Sequence, residues 1–322
     1  MKTLILGGTQ FLGRHITQAC LDAGHEVTLF NRGQTNPDLF RNDAEIIIGD
    51  RDGGLGAIKG RTFDACIDPS GYLPRVVSDS CEFLKDSVDH YTFISSISVY
   101  PEFTAGQDED APLAELEDPS VEEVDEHSYG GLKVLCEQAA ERNLPGRVLQ
   151  VRSGLIVGPH DPTDRFTYWP VRIKQGGDFV APVNSSVPVQ VIDARDQAAW
   201  IVRSIANNTT GTFNVTGPEQ NLGNVIDVCI EVTGSDATPV WLPEEYLLEK
   251  EVTPWLDLPM WLTAEAQGMM QVSTARAEAV GLTCRDLKDT IRDLLEWHSG
   301  DLQNLVVGLK PEREAELFAS WC

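Results

Sequence analysis

The sequence predicts an α/β protein with a doubly wound parallel sheet and a smaller, interleaved C-terminal lobe. Within residues 1–157, short β-branched runs alternate with longer helix-like stretches, and this alternation is typical of parallel sheets built from βαβ units. Six such runs are present, the strand number of a doubly wound sheet. Beyond residue 157 the pattern becomes irregular, with turn signals at Gly158–Pro159 and Gly176–Gly177.

The individual elements follow from apolar periodicity. The predicted strands are residues 3–6, 26–30, 45–48, 64–67, 91–95 and 147–151, and the predicted helices are residues 11–23, 76–84 and about 129–142. A strand at 187–192 and a helix at about 195–206 are predicted to return to this unit. The first domain is therefore expected to comprise residues 1–157 and 187–216, and the second lobe residues 158–186 and 217–322.

Composition and charge exclude several classes of protein. Fifty acidic residues against 25 basic ones give a formal net charge of −25, which repels nucleic acid and anionic membranes. Seven cysteines lie scattered without a Cys-x-x-Cys spacing, a pattern typical of reduced thiols rather than disulfides or a zinc site. No signal peptide or membrane-spanning run is recognised. We expect a soluble cytoplasmic protein with no metal, no nucleic-acid partner and no membrane attachment.

Residues 101–126 interrupt the alternation of strands and helices. Eleven of these 26 residues are Asp or Glu, none is Lys or Arg, and apolar periodicity is absent. The segment is expected to be a solvated loop, with a mobile flap beside the site as the alternative.

A glycine-rich loop joins the first predicted strand to the first predicted helix. Its residues are Gly7, Gly8, Thr9, Gln10, Phe11, Leu12 and Gly13. At this position, backbone N–H groups and the helix dipole can hold a diphosphate, as in Rossmann dinucleotide-binding folds. Gly7 permits the sharp turn and Gly13 the close packing of the helix, whereas Gln10 replaces the usual middle glycine. A purely structural turn is the alternative.

The ends of the second and third strands bear on which dinucleotide is bound. Asn31 and Arg32 stand where an NAD-binding fold carries a carboxylate for the ribose 2′-hydroxyl. Because no carboxylate repels a 2′-phosphate and Arg32 offers a planar cation, NADP is favoured over NAD. Asp50 and Arg51 follow the third strand, where Asp50 can accept from an adenine amino group. The alternatives are a bystander role for Arg32 and a turn-capping role for Asp50.

A tyrosine, a lysine and a serine are predicted to meet at the carboxyl edge of the sheet. Tyr129 and Lys133 are four residues apart on a predicted helix, so their side chains share one face. A nearby cation lowers the pKa of a phenol toward working pH and makes Tyr129 a general acid/base. Ser96 ends the fifth strand, at the edge where open α/β sheets bind ligands. Taken alone, a tyrosine four residues before a lysine is also typical of a helix surface. A serine such as Ser96 is also typical of a strand end or turn.

Together these motifs resemble the extended short-chain dehydrogenase/reductase family, and within it the NAD-dependent epimerase/dehydratase-like reductases. The resemblance is carried by Gly-Gly-Thr-x-Phe-x-Gly, Ser-Ser-x-x-Val-Tyr, Tyr-x-x-x-Lys and residues 152–159. It extends over nearly the whole chain, to residues 189–196, 211–215 and 294–297.

The resemblance implies hydride transfer between a nicotinamide and a hydroxyl or carbonyl carbon. Tyr129 would be the acid/base, Lys133 would hold the nicotinamide ribose and Ser96 would orient the substrate oxygen. Ser70 and Gly71, at the end of the fourth strand, would line the cofactor channel. A homodimer through the helices near residues 76–84 and 129–142 is also implied.

A second set of residues is predicted to form a wall of the substrate site. Its members are Arg165, Tyr168, Trp169 and Arg172. They fall within two helical turns, so one face would offer cations and aromatic rings together to a small-molecule substrate. The alternative is that the aromatic residues pack the lobe interface. A sugar nucleotide is disfavoured, because residues 187–192 lack the arginine that the nucleotide-sugar members of the family often carry there.

The leading function is therefore an NAD(P)-dependent oxidoreductase or epimerase. The alternative is a non-catalytic dinucleotide-binding or RNA-binding protein, since the glycine-rich opening also resembles chloroplast stem-loop RNA-binding relatives. The complete set of Ser96, Tyr129 and Lys133 and the net charge of −25 argue against that alternative.

Overall fold

A computed structural model describes residues 1–321. The strands are β1 (Lys2–Leu6), β2 (Glu26–Asn31), β3 (Glu45–Ile48), β4 (Phe63–Asp68), β5 (Val88–Ser96), β6 (Val148–Ser153), β7 (Leu155–Val157), β8 (Asp178–Pro182), β9 (Pro188–Asp193), β10 (Gly211–Val215), β11 (Glu219–Asn221) and β12 (Thr238–Leu242). The helices are α1 (Phe11–Asp22), α2 (Pro74–Leu84), α3 (Tyr129–Asn143), α4 (Tyr168–Lys174), α5 (Ala194–Ala206), α6 (Leu222–Thr233), α7 (Glu244–Glu249), α8 (Ala275–Ala279), α9 (Leu287–Trp297) and α10 (Pro311–Trp321).

The central sheet has seven parallel strands in the order β10-β6-β5-β4-β1-β2-β3. The order reverses between β1 and β4, and such a reversal opens a crevice at the carboxyl ends of the strands. The predicted doubly wound sheet is therefore confirmed, with β10 beside β6 as its seventh strand. By contrast, β9 lies in a separate three-stranded sheet between β7 and β11.

Helices cover both faces of the central sheet, and this explains the continuous apolar runs of its strands. Helices α1 and α5 pack against each other, as do α2 and α3. Leu4, Ile5 and Leu6 of β1 are consequently all buried, although their side chains alternate between the two faces. No helix in residues 1–321 is long and apolar enough to cross a bilayer.

The smaller lobe has a hydrophobic core of its own. Trp169 of α4, Phe179 of β8 and Trp261 are fully buried in that core. Strand β8 pairs with β12. This pairing joins a chain segment that precedes residues 187–216 to one that follows them. The predicted interleaved second lobe is present.

The acidic segment is pinned to the rest of the chain, although it forms no helix or strand over residues 101–128. The side chain of Glu109 is 1% exposed and accepts a hydrogen bond from the Asn214 backbone N–H at 2.7 Å. The Ala114 N–H donates to the Val99 carbonyl at 2.7 Å. The prediction of a wholly solvated loop is wrong at these anchors, because buried backbone groups of the sheet edge need partners that the segment supplies.

Candidate active site at the carboxyl edge of the sheet

The glycine-rich loop turns between β1 and α1 in the conformation that a diphosphate cradle requires. Gly7 and Gly8 have φ of +120° and +95°, values that glycine adopts without strain. A Cβ on Gly8 would lie 2.8 Å from Leu29 Cδ2, and one on Gly13 would lie 3.2 Å from the Gly8 Cα. Among the described residues, no side chain caps the N-terminus of α1 and none in its first turn is acidic. The first N–H groups of α1 are therefore suited to an external anion.

Gln10, Phe11 and Leu12 form the turn into α1. The Gln10 side chain is exposed, whereas Leu12 is buried in the core beneath the sheet. Phe11 has a φ of +36°, which is strained for a residue with a side chain, and such strain concentrates at functional sites. The strain at Phe11 is consistent with a ligand-binding turn.

Thr9 and Asn31 brace the glycine-rich loop against the turn after β2. The Thr9 hydroxyl donates to the Thr35 carbonyl at 2.7 Å. The Asn31 side chain donates to the Gly7 carbonyl at 3.3 Å and accepts from the Gly33 N–H at 2.9 Å. Both side chains, proposed from the sequence as cofactor contacts, therefore hold the loop in shape.

The structure separates the three residues predicted for the adenosine end of the cofactor. Arg32 is exposed and makes no hydrogen bond or ion pair through its side chain within residues 1–321. Asp50 accepts from the Asp52 N–H at 3.0 Å, the turn-capping role that was its alternative. Arg51 is directed inward and donates to Asp68 at 2.8 Å. The prediction that Arg51 contacts the cofactor is corrected, because its guanidinium neutralises a buried carboxylate.

Ser70 and Gly71 lie between the glycine-rich loop and Lys133. The Ser70 hydroxyl donates to the Leu6 carbonyl at 2.6 Å, and a Cβ on Gly7 would lie 3.7 Å from that hydroxyl oxygen. The Gly71 carbonyl accepts from the Lys133 ammonium at 2.8 Å. Ser70 and Gly71 therefore connect the glycine-rich loop to Lys133.

Ser96 and Tyr129 are brought together by the packing of α3 on the turn after β5. The Ser96 hydroxyl accepts from the Ser98 N–H at 3.1 Å and donates to the Ser98 hydroxyl at 3.0 Å. A Cβ on Gly130 would lie 2.1 Å from the Ser98 carbonyl oxygen, so glycine allows the first turn of α3 to approach this closely. Ser96 lies near enough to Tyr129 to lower the pKa of its phenol.

Burial rather than a neighbouring cation dominates the pKa of Tyr129. Desolvation and Tyr72 raise this pKa above its ordinary value, and Ser96 and Arg165 lower it less than burial raises it. The predicted lowering by Lys133 is wrong for this arrangement. The Lys133 ammonium, 3% exposed, instead donates to the carbonyls of Gly71 and Ile94 at 2.8 and 2.6 Å.

Lys133 is itself strongly perturbed. Burial lowers the pKa of its ammonium to about 8. Its two bonds to backbone carbonyls use two of its three N–H donors. One donor therefore stays available for a ligand hydroxyl.

Tyr72 lies beside Tyr129 and Lys133, although no role was predicted for it from the sequence. Its ring centroid lies 6.4 Å from that of Tyr129 and 5.2 Å from the Lys133 Nζ. The signal in the sequence was its position directly after Ser70 and Gly71, at the carboxyl end of β4. Exposed aromatic side chains at such an edge are typical of ligand-binding surfaces.

The predicted substrate wall is corrected at three of its four positions. Tyr168 and Trp169 are 0% exposed in the core of the smaller lobe, and Arg172 forms an ion pair with Glu314 at 2.8 Å. Tyr168 and Trp169 thus pack inside the smaller lobe, whereas the alternative places them at the lobe interface. Arg165 precedes α4, and its guanidinium lies 5.4 Å from the Trp255 ring centroid and near enough to Tyr129 to lower the pKa of that phenol.

Comparisons with known sequences find distant relatives. No family model matches the chain. The chloroplast stem-loop binding protein of 41 kDa b from Arabidopsis thaliana is 25% identical over 236 residues, which cover 67% of this chain and 58% of that protein. The chain therefore spans less than two thirds of that relative. The epimerase family protein SDR39U1 from Bos taurus is 25% identical over 247 residues, covering 70% of this chain and 77% of that protein.

Solved structures share the architecture along nearly the whole chain. A UDP-glucuronic acid 4-epimerase from Bacillus cereus in complex with NAD superposes with a TM-score of 0.66. The match covers 92% of this chain and 98% of that one at 16% identity. At this identity the likeness shows the fold, and it confirms the predicted Rossmann architecture.

Proposed function

We propose that this chain, a member of the extended short-chain dehydrogenase/reductase family by fold and motifs, is an NAD(P)-dependent oxidoreductase or epimerase. Its reaction centre is a hydroxyl or carbonyl carbon of a small molecule. One arrangement carries the proposal: Ser96 neighbours Tyr129, and the Tyr72 ring lies 6.4 Å from that of Tyr129 and 5.2 Å from the Lys133 Nζ. Lys133 in turn bonds to Gly71, next to the Ser70 that approaches the glycine-rich loop. The names of the bovine epimerase family relative and of the Bacillus cereus 4-epimerase support it.

In this proposal one part of the chain binds the dinucleotide and the other contributes to the substrate site. Residues 1–157 and 187–216 carry the dinucleotide, and residues 158–186 and 217–322 contribute to the substrate site. The first turn of α1 holds the diphosphate through backbone N–H groups. The third N–H of Lys133 holds a ribose hydroxyl.

Proton transfer in this proposal belongs to Tyr129. A bound nicotinamide supplies or accepts a hydride at the reacting carbon. Tyr129 gives a proton to, or takes it from, the oxygen on that carbon, and the Ser96 hydroxyl hydrogen-bonds to the same oxygen. A phenol whose pKa is raised by burial keeps its proton at neutral pH. This protonation state favours the direction in which a carbonyl is reduced.

NADP is proposed as the preferred dinucleotide because of the charges after β2. Arg32 is an exposed cation with no carboxylate partner among the described residues. The chain has no acidic side chain at Asn31 or Arg32 to repel a 2′-phosphate. The Bacillus cereus epimerase structure is a complex with NAD, which supports a nicotinamide dinucleotide as the cofactor. The proposed preference for the 2′-phosphate of NADP rests on Asn31 and Arg32 alone.

Replacing Arg32 with glutamine tests both the dinucleotide and its 2′ end. We expect the wild-type protein to bind NADPH more tightly than NADH in a nicotinamide fluorescence titration. Arg32→Gln should weaken NADPH about 10- to 100-fold, since hydrogen bonds to charged groups contribute about 1.5–3 kcal/mol, and should leave NADH unchanged. The control is Arg41→Gln, an exposed arginine paired with Asp38. Equal loss of both dinucleotides, or a wild-type protein that binds neither, contradicts the proposal.

RNA binding is the competing function, and the name of the Arabidopsis relative is what favours it. A surface that neutralises phosphates needs clustered Lys and Arg. This chain has 50 acidic residues and only 25 basic ones. A strong gel shift with RNA at physiological salt, together with no dinucleotide binding, would favour this competitor.

A further inference from the structure

Arg165 differs from the buried arginines of this protein because it faces no carboxylate at close range. The three arginines with the most buried ion pairs are matched as follows: Arg51 with Asp68, Arg152 with Glu137 and Arg172 with Glu314. Arg165 is partly buried, yet it forms no ion pair within 4.0 Å in residues 1–321. A buried charge is costly unless it is paired. The guanidinium of Arg165 is therefore suited to an anion from outside the chain.

A short network holds Arg165 in place through Thr163, without a direct ion pair to the Asp161 carboxylate at its end. The Thr163 hydroxyl donates to Asp161 Oδ1 at 2.7 Å and accepts from Arg165 Nε at 3.1 Å. The Trp255 ring lies 5.4 Å from the guanidinium carbon, within the range of a cation–π contact. Nε is thus used for positioning, and the two terminal nitrogens keep the fork that binds an oxyanion through two hydrogen bonds.

Asp161, in the same segment, has a buried carboxylate oxygen, Oδ2, without a hydrogen-bond partner among the described residues. The residue is 2% exposed. Burial raises the pKa of this carboxyl, and the nearby Arg165 and Thr163 lower it less than burial raises it. Buried polar atoms are seldom left without a partner in a protein that needs none from a ligand.

The location of Arg165 links this cation to the reacting oxygen. Arg165 and Tyr129 are close enough that each alters the pKa of the other. The chain as a whole carries a net charge of −25, so an anionic ligand is repelled at long range and needs a local cation. Gln190 of β9 cannot take this role, since its buried side chain bonds to the backbone of Val272.

We propose that Arg165 binds an oxyanion of the substrate, a carboxylate or a phosphoryl group, attached close to the carbon whose oxygen Tyr129 protonates. This inference rests on the proposed function and names the substrate class of the same site. Small hydroxy or keto acids, sugar acids and sugar phosphates fit it, and neutral sugars or alcohols do not.

Three matched sugars test the inference by calorimetry on protein saturated with NADP⁺. The probes are D-glucuronate for the carboxylate, D-glucose 6-phosphate for the phosphoryl group and D-glucose as the neutral control. We expect at least one anionic probe to bind at least tenfold more tightly than glucose, and the tighter of the two identifies the oxyanion. Arg165→Gln should weaken that probe about 10- to 100-fold, because a bidentate charge-assisted pair is lost.

Two further variants keep the test interpretable. Arg165→Lys should bind the anionic probe with intermediate affinity, since the charge remains and the fork is lost. Arg292→Gln, which removes the same charge from an exposed ion pair with Asp289, should bind like the wild type. The inference is overturned if neither anionic probe binds more tightly than glucose, or if Arg165→Gln and Arg165→Lys both bind it normally. A wild-type protein that binds no dinucleotide overturns the proposed function instead.

Discussion

Replacing Tyr129 with phenylalanine is expected to lower kcat by about 10²- to 10⁴-fold, the usual contribution of a positioned general acid/base. Tyr129 is the proposed proton donor because its phenol neighbours Ser96 and its ring lies 6.4 Å from that of Tyr72, which contacts Lys133. The ring itself remains in the variant, so packing against Tyr72 and dinucleotide affinity should be unchanged. The measurement is single-turnover oxidation of NADPH with a carbonyl substrate, and fluorescence titration supplies the affinity.

The pH profile of the same reaction adds a second readout. Because burial raises the pKa of Tyr129 and lowers that of Lys133 to about 8, carbonyl reduction should stay constant through neutral pH, and its first decrease should follow the titration of Lys133 rather than that of Tyr129. Tyr246→Phe, which removes a hydroxyl bonded to Leu317 in the other lobe, is the matched control and should keep the wild-type rate. Turnover retained in Tyr129→Phe refutes the assigned role.

Replacing Arg51 with methionine is expected to lower the free energy of unfolding by about 3–5 kcal/mol, as for other broken buried ion pairs. Its partner Asp68 is 0% exposed and would be left as an uncompensated charge. Urea denaturation followed by tryptophan fluorescence measures the change. The exposed Arg292→Met, whose partner Asp289 lies at the surface, should leave the unfolding curve unchanged.

The pH dependence of this loss follows from the pKa of Asp68. Burial alone would raise it, but Arg51 and the Tyr91 hydroxyl at 2.7 Å hold it below its usual value. The wild-type pair therefore contributes stability above the unfolded pKa of about 3.9, and this contribution is lost as pH falls through the lower folded value. In Arg51→Met, burial raises the pKa of Asp68, so the gap to wild type should shrink on acidification. A gap that is constant with pH would show that packing, not charge, explains the loss.

The sequence was most informative where structure depends on local pattern. Alternating strands and helices, the turn at Gly7 and Gly8, and the spacing from Tyr129 to Lys133 are all properties of short segments. Period, turn chemistry and helix geometry act over a few residues. The architecture and the neighbourhood of the site could therefore be predicted.

The partners of charged residues could not be predicted, because they are distant along the chain. Arg51 and Arg172 both looked like anion-binding groups, yet their carboxylates lie 17 and 142 residues away. The bonds from Lys133 to the carbonyls of Gly71 and Ile94 could not be predicted for the same reason, since these residues are 62 and 39 positions away along the chain. Arg165, predicted on the same grounds as Arg172, forms no ion pair within 4.0 Å among residues 1–321, and it reaches the nearby Asp161 only through Thr163.

We expect a nicotinamide dinucleotide to bind across the glycine-rich loop with its nicotinamide ring at Tyr129. A crystal structure of the protein with NADPH measures this directly. We expect the diphosphate to lie within hydrogen-bond distance of the Phe11 and Leu12 N–H groups, and the nicotinamide to lie beside Tyr129 and Lys133. A dinucleotide bound elsewhere, or one whose nicotinamide lies out of reach of Tyr129, would contradict it.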